Sequence, residues 1–257
     1  MCHLYFTEAF MDLQAFFTEN PRAAIAFSGG VDSAYLLYAA VRAGADVCAY
    51  YVQSEFQPAF ERRDAERLAR DVGARLRVLQ VSALCAPGVR ENPPERCYFC
   101  KKAIFAAIAA AAREDGYTLL LDGTNASDDA ADRPGMRALR EMHVRSPLRE
   151  CALTKAEIRE ASRAAGLFTW DKPAYACLAT RIPAGERITP EKLAATERAE
   201  DYLFSLGFTD FRVRNAAGAA KIQLPAAQWA KLTEHRAEIL NFLRQDYTAV
   251  TLDLEVR

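Results

Sequence analysis

Two adjacent glycines directly after a short apolar run constrain the fold of this chain more than any other feature. The run spans residues 23–27 (AAIAF), the loop spans 28–33 (SGGVDS), and apolar residues at helical spacing continue over 32–43. Glycines allow a tight turn whose backbone N–H groups face an anion, and the start of the next helix adds partial positive charge. The pattern predicts a buried strand, a phosphate-binding loop and a helix.

The side chains of this loop suit a nucleotide. Gly29 and Gly30 would form the turn, and the hydroxyls of Ser28 and Ser33 would reach phosphate oxygens. Asp32 would hold Mg²⁺ or cap the helix. The loop is not a Walker A motif, because no Gly-Lys-Ser/Thr sequence follows it. The alternative is an ordinary Ser/Gly turn in which Asp32 serves only as an N-cap.

Strands and helices alternate over most of the chain. The candidate strands are residues 23–27, 47–52, 75–81 and 118–122, and the candidate helices are residues 8–19, 32–43, 57–72, 98–114 and 154–165. Such alternation is typical of an α/β fold with a parallel sheet and helices on both faces. The sequence therefore predicts an α/β domain, to which we assign residues 1–185.

The pattern changes in the last third of the chain. The candidate helices there are residues 189–206 and 225–243, and the candidate strands are residues 210–214, 219–224 and 247–254. This order indicates a small α+β module over residues 186–257, with a role in substrate binding or oligomerisation.

A second polar cluster follows the fourth candidate strand. Asp122, Gly123, Thr124 and Asn125 come directly after the apolar run 118–121. Ligands of open parallel sheets bind at the carboxyl ends of the strands, so these residues are expected beside the glycine loop and its nucleotide. The alternative is a strand-ending turn without function.

Three of the seven cysteines stand in contexts that suggest chemistry. Cys97 and Cys100 precede an Ala-rich helix and two lysines, and Cys177 lies in a loop bracketed by prolines over 173–183. Thiols at a helix start beside cations are prone to ionise, and their spacing suits a metal or cluster. Arg181 could stabilise a thiolate or bind a phosphate.

These thiols allow several interpretations. They could be inert, or they could bind a structural zinc with His3 or His143 as the fourth ligand. They could also be catalytic, either as three ligands of a 4Fe–4S cluster with one iron open to an extra sulfide, or with Cys177 alone as the sulfur donor. A thioredoxin-like role of Cys97 and Cys100 is disfavoured, because the pair follows a proline-rich loop in a different βα pattern.

Several motifs carry a resemblance to known families. The SGGVDS loop matches the PP-loop ATP pyrophosphatases, relatives of NAD synthetase, GMP synthetase and tRNA thiolases. Five further segments complete the pattern: 92–101 (NPPERCYFCK), 122–125 (DGTN), 133–135 (RPG), 145–148 (RSPL) and 177–183 (CLATRIP). Together they resemble the LarE family of ATP-dependent sulfur transferases over roughly residues 20–255.

The resemblance implies a function and a set of residues. The substrate would be pyridinium-3,5-biscarboxylic acid mononucleotide, a precursor of the nickel-pincer nucleotide cofactor, whose carboxylates are adenylated and become thiocarboxylates. Cys177 matches the sulfur-bearing cysteine, which becomes dehydroalanine in one branch, whereas three cysteines hold a 4Fe–4S cluster in another. Glu200, Arg212 and Arg214 match positions near the substrate phosphate; they could equally be a solvated helix face and an edge strand. Thr180 and Gln223 depart from the more usual Ser and acidic residue.

Charge and hydrophobicity limit the kinds of partner and the cellular location expected for this chain. Lys plus Arg number 33 against 34 Asp plus Glu, so the net charge of −1 offers no general attraction to nucleic acid. The apolar run 103–112 is too short to span a membrane, and no signal-peptide pattern opens the chain, which favours the cytoplasm. The resemblance implies a homo-oligomer. The alternatives are a tRNA thiolase, an amide-forming ligase of the NAD synthetase type and a non-enzymatic nucleotide-binding or zinc-stabilised scaffold.

Overall fold

The computed structural model describes residues 12–128 and 134–255. Cys2, His3 and Arg133, together with residues 8–11 of the predicted first helix, lie outside the described residues. Within residues 12–128 and 134–255, no helix is long and apolar enough to cross a membrane.

The chain divides into two compact units. The first contains the residues up to Ala86 together with Glu95–Tyr175, and the second contains Pro87–Pro94 and the residues from Ala176 onward. Within the second unit, the segment Pro87–Pro94 bonds to residues 182–188. Asn92 donates its side-chain amide to Ile182 and Pro183 carbonyls, at 3.2 and 2.7 Å. Its own carbonyl accepts from the Gly185 N–H at 2.8 Å.

The first unit contains the α/β fold. Its strands are β1 (Arg22–Ala26), β2 (Asp46–Gln53), β3 (Arg75–Gln80) and β4 (Leu120–Leu121). Its helices are α1 (within 12–19), α2 (Val31–Arg42), α3 (Ala59–Val72), α4 (Arg96–Glu114), α5 (Pro134–Glu141), α6 (Pro147–Glu150) and α7 (Lys155–Ala164). The strands pair in the order β3-β2-β1-β4 and all pairs are parallel, so the α/β prediction is confirmed.

Successive side chains of a strand point to opposite faces of the sheet, and each face packs against a different set of helices. In β1, Ala23 and Ile25 belong to a core with residues of α2, α3 and α7, whereas Ala24 belongs to a second core with α4 and α5. A run that is apolar throughout must therefore be covered on both faces. The predicted two helical layers are confirmed.

Two helices of the first unit were not predicted from the sequence pattern. α5 begins at Pro134 and Gly135, and α6 has only the four residues Pro147–Glu150. Proline favours the first turn of a helix, where its missing N–H costs nothing, but glycine and so short a length give no periodic signal.

The second unit is the α+β module. It contains α8 (Pro190–Ser205), β5 (Arg212–Ala216), β6 (Ala219–Gln223), α9 (Trp229–Glu234), α10 (Arg236–Leu243) and β7 (Ala249–Leu252). Its sheet has the order β5-β6-β7, with an antiparallel and a parallel pair. The single helix predicted over 225–243 is wrong. The chain leaves helical geometry at His235 (φ −88°, ψ 6°), which is the C-cap of α9 and the N-cap of α10.

Candidate functional site

The glycine loop has the geometry of an anion cradle. Gly29 has φ +73°, which side chains rarely adopt, and Gly30 is the N-cap of α2. A glycine N-cap offers no side chain to the first N–H groups of the helix, so these are presented to a ligand. Asp32 is the second residue of the helix, and the alternative that makes it the N-cap is therefore wrong.

Two hydroxyls brace this loop from inside. The Ser33 hydroxyl accepts from the Ser28 N–H at 3.3 Å, lies 3.1 Å from the Ser28 hydroxyl and donates to the Gly30 carbonyl at 3.2 Å. The Ser28 hydroxyl accepts from the Gly30 N–H at 3.4 Å. Ser33 is buried whereas Ser28 is exposed. The loop thus holds its shape with short-range bonds, and Ser28 is the hydroxyl that a ligand could reach.

The loop lies where the strand order reverses. The chain proceeds from β1 to β2 on one side of the sheet and places β4 on the other side of β1, so the segments after β1 and β4 diverge from adjacent strand ends. Such a switch point is where open parallel sheets bind ligands. A Cβ on Gly123 would lie 2.8 Å from the Ser33 nitrogen and 3.1 Å from its Cα. Only glycine therefore allows the segment after β4 to meet the start of α2.

The polar residues after β4 are buried and bonded. Asp122 accepts from the Ser146 hydroxyl at 2.6 Å and from the Thr124 hydroxyl at 2.5 Å. Asn125, which is 2% exposed, donates its amide to an Asp32 carboxylate oxygen at 3.2 Å. The structure thus brings residues 122–125 to the glycine loop, and the Asp122 carboxylate serves mainly to hold the segment in shape.

Two lysines that sequence reasoning missed reach the same loop. Lys155, the first residue of α7, bonds the other Asp32 carboxylate oxygen at 2.5 Å. Lys172 lies 3.4 Å from the Gly29 carbonyl and 2.8 Å from an Asp64 carboxylate oxygen. Both stand more than a hundred residues from their partners, so no local motif could have indicated them. They supply positive charge beside the expected phosphates.

Cys97 and Cys100 lie on the first turns of α4. A separation of three residues places them on one side of the helix, where Cys97 is exposed and Cys100 is half-buried. The guanidinium of the buried Arg96 lies 3.5 Å from the Cys97 sulfur. The cation that contacts this thiol is therefore Arg96.

The residue between the two cysteines ties their turn to α5. Tyr98 donates to a Glu141 carboxylate oxygen at 2.7 Å, and Lys102 bonds both groups, at 3.2 and 3.1 Å. The Arg137 guanidinium covers the Tyr98 ring at 4.1 Å. Bonds from Tyr98 and then Lys102 lower the pKa of Glu141, and bonds to Tyr98 and then Glu141 raise the pKa of Lys102. The ionic forms of both are thus favoured, which fixes the start of α4.

Cys177 lies in the second unit, directly before a short 3₁₀ helix, Leu178–Arg181. It is half-buried, and its carbonyl accepts from the Thr180 N–H at 2.9 Å and from the Thr180 hydroxyl at 2.8 Å. Arg181 is completely buried against Glu200 of α8. The loop that the prolines indicated is thus a compact bonded turn with the thiol at its start.

Strand β5 carries Arg212 and Arg214, which the resemblance places near the substrate phosphate. Arg214 donates to the Thr180 carbonyl at 2.5 Å and to the Gln223 side chain at 2.8 Å. Gln223 in turn donates to Asp253 at 2.7 Å. Arg212 is 5% exposed and donates to the Phe211 carbonyl at 2.6 Å. Arg214 thus joins β5 to the Cys177 turn, and Gln223 supports it.

The remaining described cysteines contrast with these three. Burial raises the pKa of Cys151 to about 11 and also raises the pKa of Cys48, so both remain protonated thiols. Cys85 is exposed on a 3₁₀ turn of the first unit. Among the described residues, neither unit by itself groups three His, Cys, Asp or Glu side chains in a way that could hold a metal ion. The first unit offers two thiols of the candidate set and the second offers one.

Comparison with known proteins places this arrangement in a family. No protein-family model matches the chain. An uncharacterized protein of Synechocystis is 38% identical over 95% of this chain and 92% of its own length, and an uncharacterized protein of Methanocaldococcus jannaschii is 27% identical over 93% and 91%. A pyridinium-3,5-bisthiocarboxylic acid mononucleotide synthase of Lactiplantibacillus plantarum is 33% identical over 91% of this chain and 86% of its own. The chain belongs to this LarE family.

Membership of the LarE family supports an enzyme over a non-enzymatic scaffold. The residues present fit ATP with Mg²⁺: the cradle at Gly29 and Gly30 is open to an anion, and Asp32 offers a carboxylate beside it. For a cluster, the first unit offers two of the three thiols of the candidate set, the exposed Cys97 and the half-buried Cys100, one turn apart on α4.

Proposed function

We propose that this chain is an ATP-dependent sulfur transferase that adenylates the carboxylates of pyridinium-3,5-biscarboxylic acid mononucleotide and converts them to thiocarboxylates. The observation that carries the proposal is the relationship, over 91% of this chain and 86% of the relative, to a synthase of the bisthiocarboxylic acid mononucleotide. The glycine loop at the switch point supports the ATP-dependent step, and the exposed and half-buried thiols of Cys97, Cys100 and Cys177 support the transfer.

In the first step, a substrate carboxylate oxygen attacks the α-phosphorus of ATP. The bond between the α-phosphorus and the bridging oxygen breaks, pyrophosphate leaves, and an acyl adenylate forms. The N–H groups at Gly30 and the start of α2 would bind phosphate oxygens, and Asp32 would hold Mg²⁺. Lys155 and Lys172 would balance the charge of the leaving pyrophosphate.

In the second step, a sulfur nucleophile attacks the activated acyl carbon and AMP leaves. If Cys177 is the donor, its thiolate forms a thioester, loss of the Cα proton then breaks the Cβ–S bond, and the thiocarboxylate leaves dehydroalanine at position 177. This elimination requires no oxidant or reductant. Alternatively, Cys97, Cys100 and Cys177 would hold a 4Fe–4S cluster, which when bound would supply sulfide from its open iron.

Arg212 and Arg214 would face the phosphate of the substrate, since guanidinium groups bind phosphate through paired N–H donors. The same proposal has the enzyme act on a free nucleotide rather than on nucleic acid, as a homo-oligomer in the cytoplasm.

The test uses full-length protein purified without oxygen, with ATP, Mg²⁺ and the biscarboxylic acid mononucleotide. We expect AMP, pyrophosphate and a thiocarboxylate product by mass spectrometry. Cys177→Ala should retain substrate-dependent exchange of labelled pyrophosphate into ATP but form no thiocarboxylate. Cys85→Ala, which removes an exposed thiol outside the proposed set, is the matched control and should retain both activities.

The outcomes separate the two sulfur sources. A single turnover with loss of sulfur from Cys177 supports the sacrificial route, whereas repeated turnover that depends on added sulfide and on bound iron supports the cluster. Pyrophosphate exchange that does not depend on the mononucleotide would contradict the substrate. A salt-sensitive complex with tRNA, without any reaction of the mononucleotide, would favour a tRNA thiolase.

A further inference from the structure

Arg181 and Glu200 form an ion pair that is removed from solvent. The side chain of Arg181 is 0% exposed and that of Glu200 is 1% exposed. The two groups meet as a fork, with the Arg181 Nε and one terminal nitrogen donating to the two carboxylate oxygens at 2.8 and 3.0 Å. Burying two charges carries a desolvation cost that only good geometry offsets. Two sets of contacts show which segments this pair holds in place.

On one side, the pair holds the backbone at Cys177. The other terminal nitrogen of Arg181 donates to the Ala176 carbonyl at 2.8 Å and to the Thr180 hydroxyl at 2.9 Å, and it lies 3.5 Å from the Cys177 carbonyl. One guanidinium thus contacts the residue before Cys177, Cys177 itself and the hydroxyl that bonds its carbonyl. These contacts fix the backbone from which the thiol projects.

On the other side, the pair holds β5. The Glu200 oxygen that accepts from the Arg181 Nε also accepts from the Val213 N–H at 2.9 Å. Val213 stands between Arg212 and Arg214 in the strand. One carboxylate of α8 therefore connects the Cys177 turn to the strand that carries both arginines, and the contact between Arg214 and the Thr180 carbonyl reinforces that connection.

We infer that Arg181 and Glu200 are a positioning pair, which sets the Cys177 sulfur relative to the arginines of β5 and does not itself touch the substrate. The inference rests on the proposed function and assigns Arg181 and Glu200 a different role from phosphate binding. A completely buried guanidinium that is forked onto a carboxylate has no surface for a phosphate. By contrast, its contacts with three groups of the 176–180 segment are what positioning requires.

The experiment replaces the pair with apolar side chains of similar size. The double variant Arg181→Met with Glu200→Leu removes both charges together, so no unpaired charge remains and the unit is expected to fold. Arg181→Lys keeps the charge but loses the fork, and serves as the second variant. Arg198→Met is the matched control: Arg198 lies on α8, like Glu200, and its substitution removes an exposed ion pair with Asp246.

Three readouts are compared on folded protein. If the inference is correct, the double variant keeps substrate-dependent pyrophosphate exchange within about twofold of wild type, whereas thiocarboxylate formation falls about 100-fold with KM for the mononucleotide little changed. Amide exchange of residues 177–182 accelerates about tenfold or more, without a similar change elsewhere in the unit. Arg181→Lys falls between the double variant and wild type, and Arg198→Met matches wild type.

Other results would overturn the inference. Wild-type thiocarboxylate formation by the folded double variant would make the pair structural only. A raised KM with unchanged kcat would make Arg181 or Glu200 a substrate ligand. If wild type itself forms no thiocarboxylate, the proposed function fails, and amide exchange alone then tests the positioning role. An unchanged exchange rate at residues 177–182 in the double variant refutes that role, and a local acceleration supports it.

Discussion

The glycine loop of the first unit and the Cys177 turn of the second are both compact, but they are held in different ways. Residues 28–33 are braced by bonds over two to five positions, made by serine hydroxyls and backbone. The Cys177 turn is held by Arg181, which depends on Glu200 nineteen residues away and, through it, on Val213. One site is built from local sequence and the other from tertiary contacts.

This difference predicts how each site fails. A loop braced by local bonds keeps its shape when a distant side chain is lost but not when its backbone is displaced, whereas a turn held by a buried ion pair fails when either partner is removed. The following substitutions test that contrast, in decreasing order of expected effect.

The largest effect is expected for Glu200→Leu. The substitution leaves the Arg181 guanidinium buried without its carboxylate, which should reduce the free energy of unfolding by about 3–5 kcal/mol. Denaturant unfolding of the full chain measures it. Adding Arg181→Met to the same protein should restore most of the loss, and failure to do so would show that the two side chains do not act as a pair.

Gly123→Ala should weaken ATP binding roughly 100-fold, or about 2.7 kcal/mol. The added Cβ would collide with the Ser33 backbone and push apart the two segments of the switch point. Gly166→Ala is the control: it has a φ of +70° and nothing within 4 Å of an added Cβ, so it should cost about 1 kcal/mol of stability and leave ATP affinity alone. Isothermal titration calorimetry with ATP compares the two variants. Equal affinities for ATP would contradict the close approach of Gly123 to Ser33.

Lys155→Met should weaken ATP binding about tenfold, or about 1.4 kcal/mol. Without the ammonium group, the Asp32 carboxylate adds uncompensated negative charge near the triphosphate. Lys155→Arg keeps the charge and should retain most of the affinity. The measurement is ATP titration at saturating Mg²⁺, and unchanged binding by Lys155→Met would remove this lysine from the site.

The smallest effect is expected for Thr154→Ala, which removes the capping box at the start of α7. It should cost about 1 kcal/mol at neutral pH. Bonds from the Thr154 hydroxyl and N–H hold the pKa of Glu157 below its ordinary value of 4.5. Because the pKa of Glu157 is lower in the folded state, its ionised form stabilises the fold above pH 4.5. This contribution is lost as the pH falls through the folded-state pKa. The cost of the substitution should therefore shrink in acid.

The control for this cap lies in the other unit. Thr189→Ala removes the side-chain cap of α8 and should cost a similar free energy of unfolding. Only Thr154→Ala should also weaken ATP binding, since it loosens the helix start that carries Lys155. Thermal unfolding with and without ATP distinguishes the two, and identical behaviour would mean that the cap of α7 does not support the loop.

Much of the first unit could be predicted from sequence, because its signals are local. Short strand-like runs between segments with helical spacing identify the four strands, and a glycine pair after the first indicates the loop. The helix beginning at Pro134 and the lysines at 155 and 172 gave no such signal. Their roles depend on contacts with distant residues, 123 and 143 positions away for the two lysines, which residue spacing does not encode.

For this protein, the sequence by itself determined the alternation of elements, the loop at residues 28–33 and the three candidate thiols. Backbone preferences and apolar periodicity act over a few residues, so they are visible in the chain. Only the tertiary structure decided that Gly123 must be a glycine, that Asp32 pairs with Lys155, and that Arg181 is buried against Glu200. Steric exclusion and the pairing of buried charges depend on which distant groups folding brings together.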